Sequence, residues 1–97
     1  MPRSTSYHEK LIQDLKDPLE AAAYIEVVLE ESDPRMLSKA LKNVIEAYGG
    51  IDQLSTQVQQ VYHQLEQILS EKGEIEFYRL NSLLDALGLR LAVTVKP

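Results

Sequence analysis

The chain contains no cysteine and no tryptophan, one phenylalanine, and only four glycines and four prolines in 97 residues. Without cysteine there is no disulfide framework and no thiolate to act as nucleophile or ligand. With so few backbone breakers, each Gly or Pro marks a boundary. Cations are also scarce: ten Lys and Arg stand against fifteen Asp and Glu, for a net charge of −5. That balance argues against non-specific nucleic-acid binding, which rests on cations neutralising phosphates. It suits a basic protein partner, because complementary potentials speed encounter. No apolar run reaches the ~18 residues of a membrane span. The opening MPRSTSYHEK lacks the apolar stretch of a secretory leader. The expectation is a cytoplasmic protein that touches no membrane. One small domain with a single core is expected, since domains commonly run to about 100–150 residues.

What is present is mostly helical pattern. DPLEAAAYIEVVLEES and DPRMLSKALKNVIEAYGG begin alike. Asp17 and Asp33 are placed to cap, and Pro18 and Pro34 take the first helical position, where a missing N–H is no loss. Glu20 completes a capping-box spacing with Asp17. Leu19, Ala22, Ala23, Ile25, Val28 and Leu29 are expected to form the buried side of the first of these helices. Met36, Leu37, Ala40, Leu41, Val44, Ile45 and Tyr48 do so in the second. Gly49 and Gly50 stop it. Residues 51–72 run without Gly or Pro to Gly73, and EIEFYRLNSLLDALG then places Phe77, Leu80, Leu83, Leu84 and Leu87 on one face before Gly88. Residues 1–16 read as a polar N-terminal arm, or as a short helix that packs on something else, ahead of a domain spanning 17–97. At the other end, Leu89, Leu91, Val93 and Val95 alternate with Arg90, Ala92 and Thr94, a strand pattern. A lone strand leaves its backbone groups unpaired. A second copy of the chain is the economical source of a partner, giving a homodimer through an antiparallel ribbon of residues 89–95.

The stretch DLKDPLEAAAYIEVVLEESDPRMLSKALKNVIEAYGGIDQLS, with LSEKGEIEFYRLNSLLDALGLRL, resembles the addiction-module antidote proteins, small helix-turn-helix antitoxins of type II toxin–antitoxin pairs. The resemblance covers residues 14 to about 92. It implies an all-α, five-helix domain like the DNA-binding domains of phage repressors, to which the chain adds its short C-terminal β-strand. It also implies a function in two parts. The antidote binds and neutralises a cognate toxin, commonly an endoribonuclease, and as a dimer it binds its own operator DNA and represses transcription.

In that family's pattern, the first helix of the motif lies at about 51–58, the turn at 59–60 and the recognition helix at about 61–70. The residues here conflict with it. A helix-turn-helix needs a sharp turn, usually with glycine, yet the position holds Gln59. Gln60 and Val61 follow, and valine caps poorly. Ile51, Leu54, Val58, Val61, Leu65 and Ile68 are spaced as one heptad stripe, as a single long helix requires. Two structures are thus open: a bend at 59–60, or one helix over 51–72. If the chain bends, Tyr62, His63, Gln64 and Gln67 are the exposed candidate DNA readers. Glutamine can bond adenine with both ends of its amide. Gln53, Lys72 and Arg79 are then the candidates for holding the DNA backbone. From Gly49 to Arg90 there are only three basic residues against six acidic ones, so binding there requires strong segregation of charge. Arg35, Lys39 and Lys42 read as a solvated face. If the chain does not bend, the alternative is a degenerate motif that serves only as a protein-interaction module, without DNA readout.

No enzyme is expected. His8 and His63 stand in no zinc-ligand spacing. No phosphate-binding glycine loop is present, and no nucleophile has an evident base. The carboxylate pairs Glu30–Glu31 and Glu74–Glu76 suit solvated helix ends. No metal or other cofactor is expected. The N-terminal arm and the helix after it are the expected surface for a toxin, on the ground that the core does not need the arm.

Overall fold

A computed structural model describes the backbone of residues 3–97 and the side chains from residue 7 onward. Five α-helices follow in order: α1 (Arg3–Asp14), α2 (Pro18–Glu31), α3 (Pro34–Tyr48), α4 (Thr56–Lys72) and α5 (Phe77–Ala86). A 3-10 turn, Ile51–Gln53, joins α3 to α4. The chain is mostly helical, as the sequence pattern predicts, and no helix is long and apolar enough to cross a membrane.

The two Asp-Pro starts are where the sequence places them. Asp17 accepts from the Leu19 N–H and Asp33 from the Arg35 N–H, both at 3.0 Å. Glu20 makes no return bond to complete a capping box among the described residues. Ser32 closes α2 in the left-handed conformation, at φ 56°. Gly49 closes α3 at φ +129°, and a Cβ there would lie 2.9 Å from the Gln53 side chain folded over it.

The core centres on α3, which packs against α1, α2 and α4, while α5 packs on α4. Leu37, Ala40, Leu41, Val44 and Ile45 are buried as expected, joined by Ala47 and by Asn43, whose amide donates to the Tyr24 hydroxyl at 3.0 Å. Met36 and Tyr48 are exposed instead. They sit in the first and last turns of α3. Phe77 is likewise exposed, at the first position of α5, while Leu80, Leu83, Leu84 and Leu87 are buried. In α2 the buried stripe is Ala21, Ile25 and Val28. Leu19, Ala22 and Ala23 face outward. The apolar residues of α2 surround the helix, so the pattern alone did not say which side meets α3.

Of the two readings open for residues 1–16, the described residues show the short packed helix. Residues 1–2 lie outside the described residues; from Arg3 the chain is helical, Leu11 and Ile12 pack on the core, and Leu15 is buried in it. The core therefore uses this segment, which removes the ground on which it was assigned to a toxin. At the C-terminus, Leu89 and Leu91 pack against the core, while Val93 and Val95 stand in solvent. No strand forms among the described residues. The last described backbone bond is Leu89 N–H to the Leu84 carbonyl at 2.8 Å. The physical reason is the one read from the sequence: the chain holds no second strand to pair with.

Candidate interaction face on α4

The bend expected at 59–60 is absent, and so is a single helix from 51. α4 begins at Thr56, five residues before the expected recognition helix. Ser55 is the cap, its hydroxyl accepting from the Val58 N–H at 3.2 Å. The Gln59 N–H bonds the Ser55 carbonyl at 2.9 Å, so Gln59 is already inside the helix. Its side-chain amide reaches back to the Leu54 carbonyl, also at 2.9 Å, and ties down the incoming chain. No glycine is available between 51 and 72 to take a left-handed turn, whereas a serine at 55 satisfies an orphan N–H at the helix start. The heptad stripe is broken for the same reason: Leu54 is extended, at φ −94° and ψ 151°, so it and Ile51 precede the helix.

The burial of α4 turns on Tyr62, Leu65 and Leu69. Tyr62, an expected DNA reader, has only 8 % of its surface exposed, so its ring is core. Tyr62 lies one turn before Leu65 and two before Leu69, so the three share a face, and it is this 62–65–69 stripe, not the 58–61–65–68 spacing, that meets the core. Burial first, and then the charge and acceptor oxygen of Glu66, push the Tyr62 hydroxyl up to about 12. Glu66 is also bonded to α3, its Oε1 accepting from the Ser38 hydroxyl at 2.6 Å, while its Oε2 is buried without a partner among the described residues. In the sequence Glu66 stands only as one of six acidic residues between Gly49 and Arg90. Its spacing of four from Tyr62 and three from Leu69 was the signal that it lies beside the core.

The exposed face of α4 is polar and rich in amides: Gln57, Gln60, His63, Gln64 and Gln67 all face solvent. Two of the expected readers have partners within the chain. Gln64 Oε1 accepts from Arg79 Nε at 3.0 Å, and the Gln67 amide donates to Glu71 at 3.1 Å. Arg79 is held a second time, by Glu76 at 2.7 Å. Glu76 also caps α5, accepting from the Tyr78 N–H at 2.7 Å. That backbone bond, then the Arg79 side chain, lowers the Glu76 pKa. The structure thus brings Gln64 and Arg79 together but uses them to join α4 to α5. Gln53, His63 and Lys72 are exposed, and no hydrogen bond among the described residues links them to the other candidates. Compared with protein-family models, with curated proteins and with solved structures, the chain matches none.

Proposed function

We propose that the chain is a protein-binding module of antitoxin type, with a helical, repressor-like shape and no operator readout. The observation that carries this reading is the unbroken passage of α4 through residues 59 and 60. A recognition helix works by projecting its first turn into the major groove. Here the corresponding residues are mid-helix, one of them is buried, and no Lys or Arg lies between 59 and 70. The partner is a basic protein, by charge complementarity with a chain of net charge −5. By the resemblance stated above, it is a ribonuclease toxin. The module acts in the cytoplasm, as two copies paired through residues 89–95, and carries out no catalysis of its own.

The test has two arms. The chain is co-expressed with the product of the adjacent gene, where that gene encodes a small basic protein. A stoichiometric complex that suppresses RNA cleavage supports the reading; separate elution with cleavage intact overturns it. In the second arm, the chain is run against its own upstream DNA at about 50 and about 150 mM salt. No retention at either is expected. Retention at low salt that falls steeply with salt restores an operator-binding function, because released counterions give that slope.

A further inference from the structure

α2 is apolar on two sides, and only one of them is in the core. Opposite the buried stripe lie Leu19 with 79 % of its surface exposed, Val27 with 55 %, and the exposed alanines 22 and 23. The same helix carries Glu20, Glu26, Glu30 and Glu31 and no basic residue. Beside it, a groove of about 450 Å³ runs between α2, at Ala22, Glu26 and Glu30, and the chain's own C-terminal segment, at Arg90, Leu91 and Thr94, so two carboxylates there face one resident cation.

The C-terminal segment has the opposite chemistry. Residues 89–97, LRLAVTVKP, hold two cations, Arg90 and Lys96, and no acid. Val93 and Val95 stand essentially fully exposed. No backbone hydrogen bond is made by residues 90–97 among the described residues. The lengths also agree. An extended chain from Arg90 to Lys96 covers about 20 Å at ~3.3 Å per residue, and a helix of the extent of α2 covers about 21 Å at 1.5 Å per residue.

We propose that the groove beside α2 receives the C-terminal segment of a second copy of this chain. Resting on the pairing of two copies proposed above, it adds where the paired segment lies. The incoming segment bonds the backbone of the resident one and turns its even-numbered side to α2, setting Ala92 and Thr94 over Ala22 and bringing Arg90 and Lys96 to Glu26 and Glu30, with Val93 and Val95 on the opposite side. The two-fold axis repeats the contact, so each segment serves both copies.

Sedimentation equilibrium on the full chain tests it, using only exposed positions: the pair E26K and E30K, the pair R90E and K96E, and all four together. The unaltered chain is expected to dimerise. Each reversed pair weakens the dimer by about tenfold at low salt, from several modest ion-pair contributions acting together. The fourfold variant, with its charges exchanged, recovers most of that loss while helical circular dichroism is unchanged throughout. V93P, which removes a backbone donor from the ribbon, separates this inference from the pairing itself. If V93P dissociates the dimer and E26K with E30K leaves it intact, the ribbon stands and the groove is empty, which overturns the proposal. A dimer insensitive to both, or a monomer throughout, overturns the ribbon as well. If E26K with E30K abolishes binding of the basic protein partner but not dimerisation, that partner and not a second copy occupies the groove, and the proposal fails.

Discussion

α3 and α4 are neighbours of similar length with opposite uses. Seven of the fifteen residues of α3 are buried, against three of seventeen in α4, so the shorter helix organises the core and the longer one mostly presents surface. Their starts are fixed locally. α3 is fixed by Asp33 and Pro34, two strong local signals. α4 is fixed by Ser55 and by Gln59 reaching backwards, a cap supplemented by a side-chain clasp. Both starts are set by caps, so the difference lies in the face: α3 is held by seven buried residues, α4 by three.

The largest effect that tests this contrast is truncation within α3. Leu41 is fully buried between its neighbours, and Leu41→Ala is expected to lose about 2–5 kcal/mol by urea denaturation, enough to unfold a marginal domain. Val61→Ala on α4, where the side chain is half-exposed, is expected to stay within about 1 kcal/mol. Comparable losses at the two sites would mean that α4 shares the core equally, and the contrast would be gone.

Gln59→Gly comes next and is decided by its sign. In a helix interior, glycine costs about 1 kcal/mol, and losing the bond to the Leu54 carbonyl adds about 1 kcal/mol more. Were residue 59 instead in a left-handed turn, the same change would relieve strain and stabilise the chain by up to about 1 kcal/mol. A stabilised variant would reinstate the bend at 59–60 and, with it, the operator-binding account.

The two helices also divide what could be read from the sequence. The Asp-Pro starts, the glycine stops and the buried Leu37–Leu41–Val44 stripe were legible because local chemistry and tertiary packing agree there. The start of α4 is not legible from the resemblance, whose frame puts a turn at 59–60, although Ser55 is a good cap residue followed by a run without a breaker. Tyr62 is core because the buried stripe of α4 runs through 62, 65 and 69, one position round from the 58–61–65–68 spacing, and apolar periodicity alone allows either. The outward side of α2 was illegible for a different reason. Alanine and valine surround the helix, so composition names no inner face, and only the position of α3 decides. The Ser38–Glu66 bond joins residues 28 apart in sequence, beyond the reach of any periodicity.

Tyr62 offers a smaller, pH-resolved test of the inward face of α4. Its hydroxyl is raised from the ordinary value of 10.0 to about 12 in the folded chain. The folded state therefore holds this proton more tightly than the unfolded state. The associated stability is fully present below pH 10 and is lost as the pH rises through the folded value near 12. Stability should fall across that window in the parent chain and fall less in Tyr62→Phe, while the tyrosinate absorbance of the parent shows one late-titrating group that the variant lacks. A Tyr62 that ionises at the ordinary value of 10.0 would place its ring outside the core and return it to the candidate readers.

The smallest effect concerns the outward face. Gln64 and Arg79 are bonded across α4 and α5 at exposed or half-exposed positions, where such contacts contribute roughly 0–1 kcal/mol. Gln64→Ala and Arg79→Ala are each expected to move stability by less than about 1 kcal/mol, and the double variant to do little more than the larger single change, because each removes the same bond. The useful comparison is with DNA present. On the interaction-module reading neither residue contacts phosphate, so neither variant alters DNA retention at any salt. If Arg79→Ala lowers retention and reduces the salt slope by about one counterion, then Arg79 leaves Gln64 to bind the backbone of a duplex, and the α4–α5 bond is only the resting state of a DNA-binding surface.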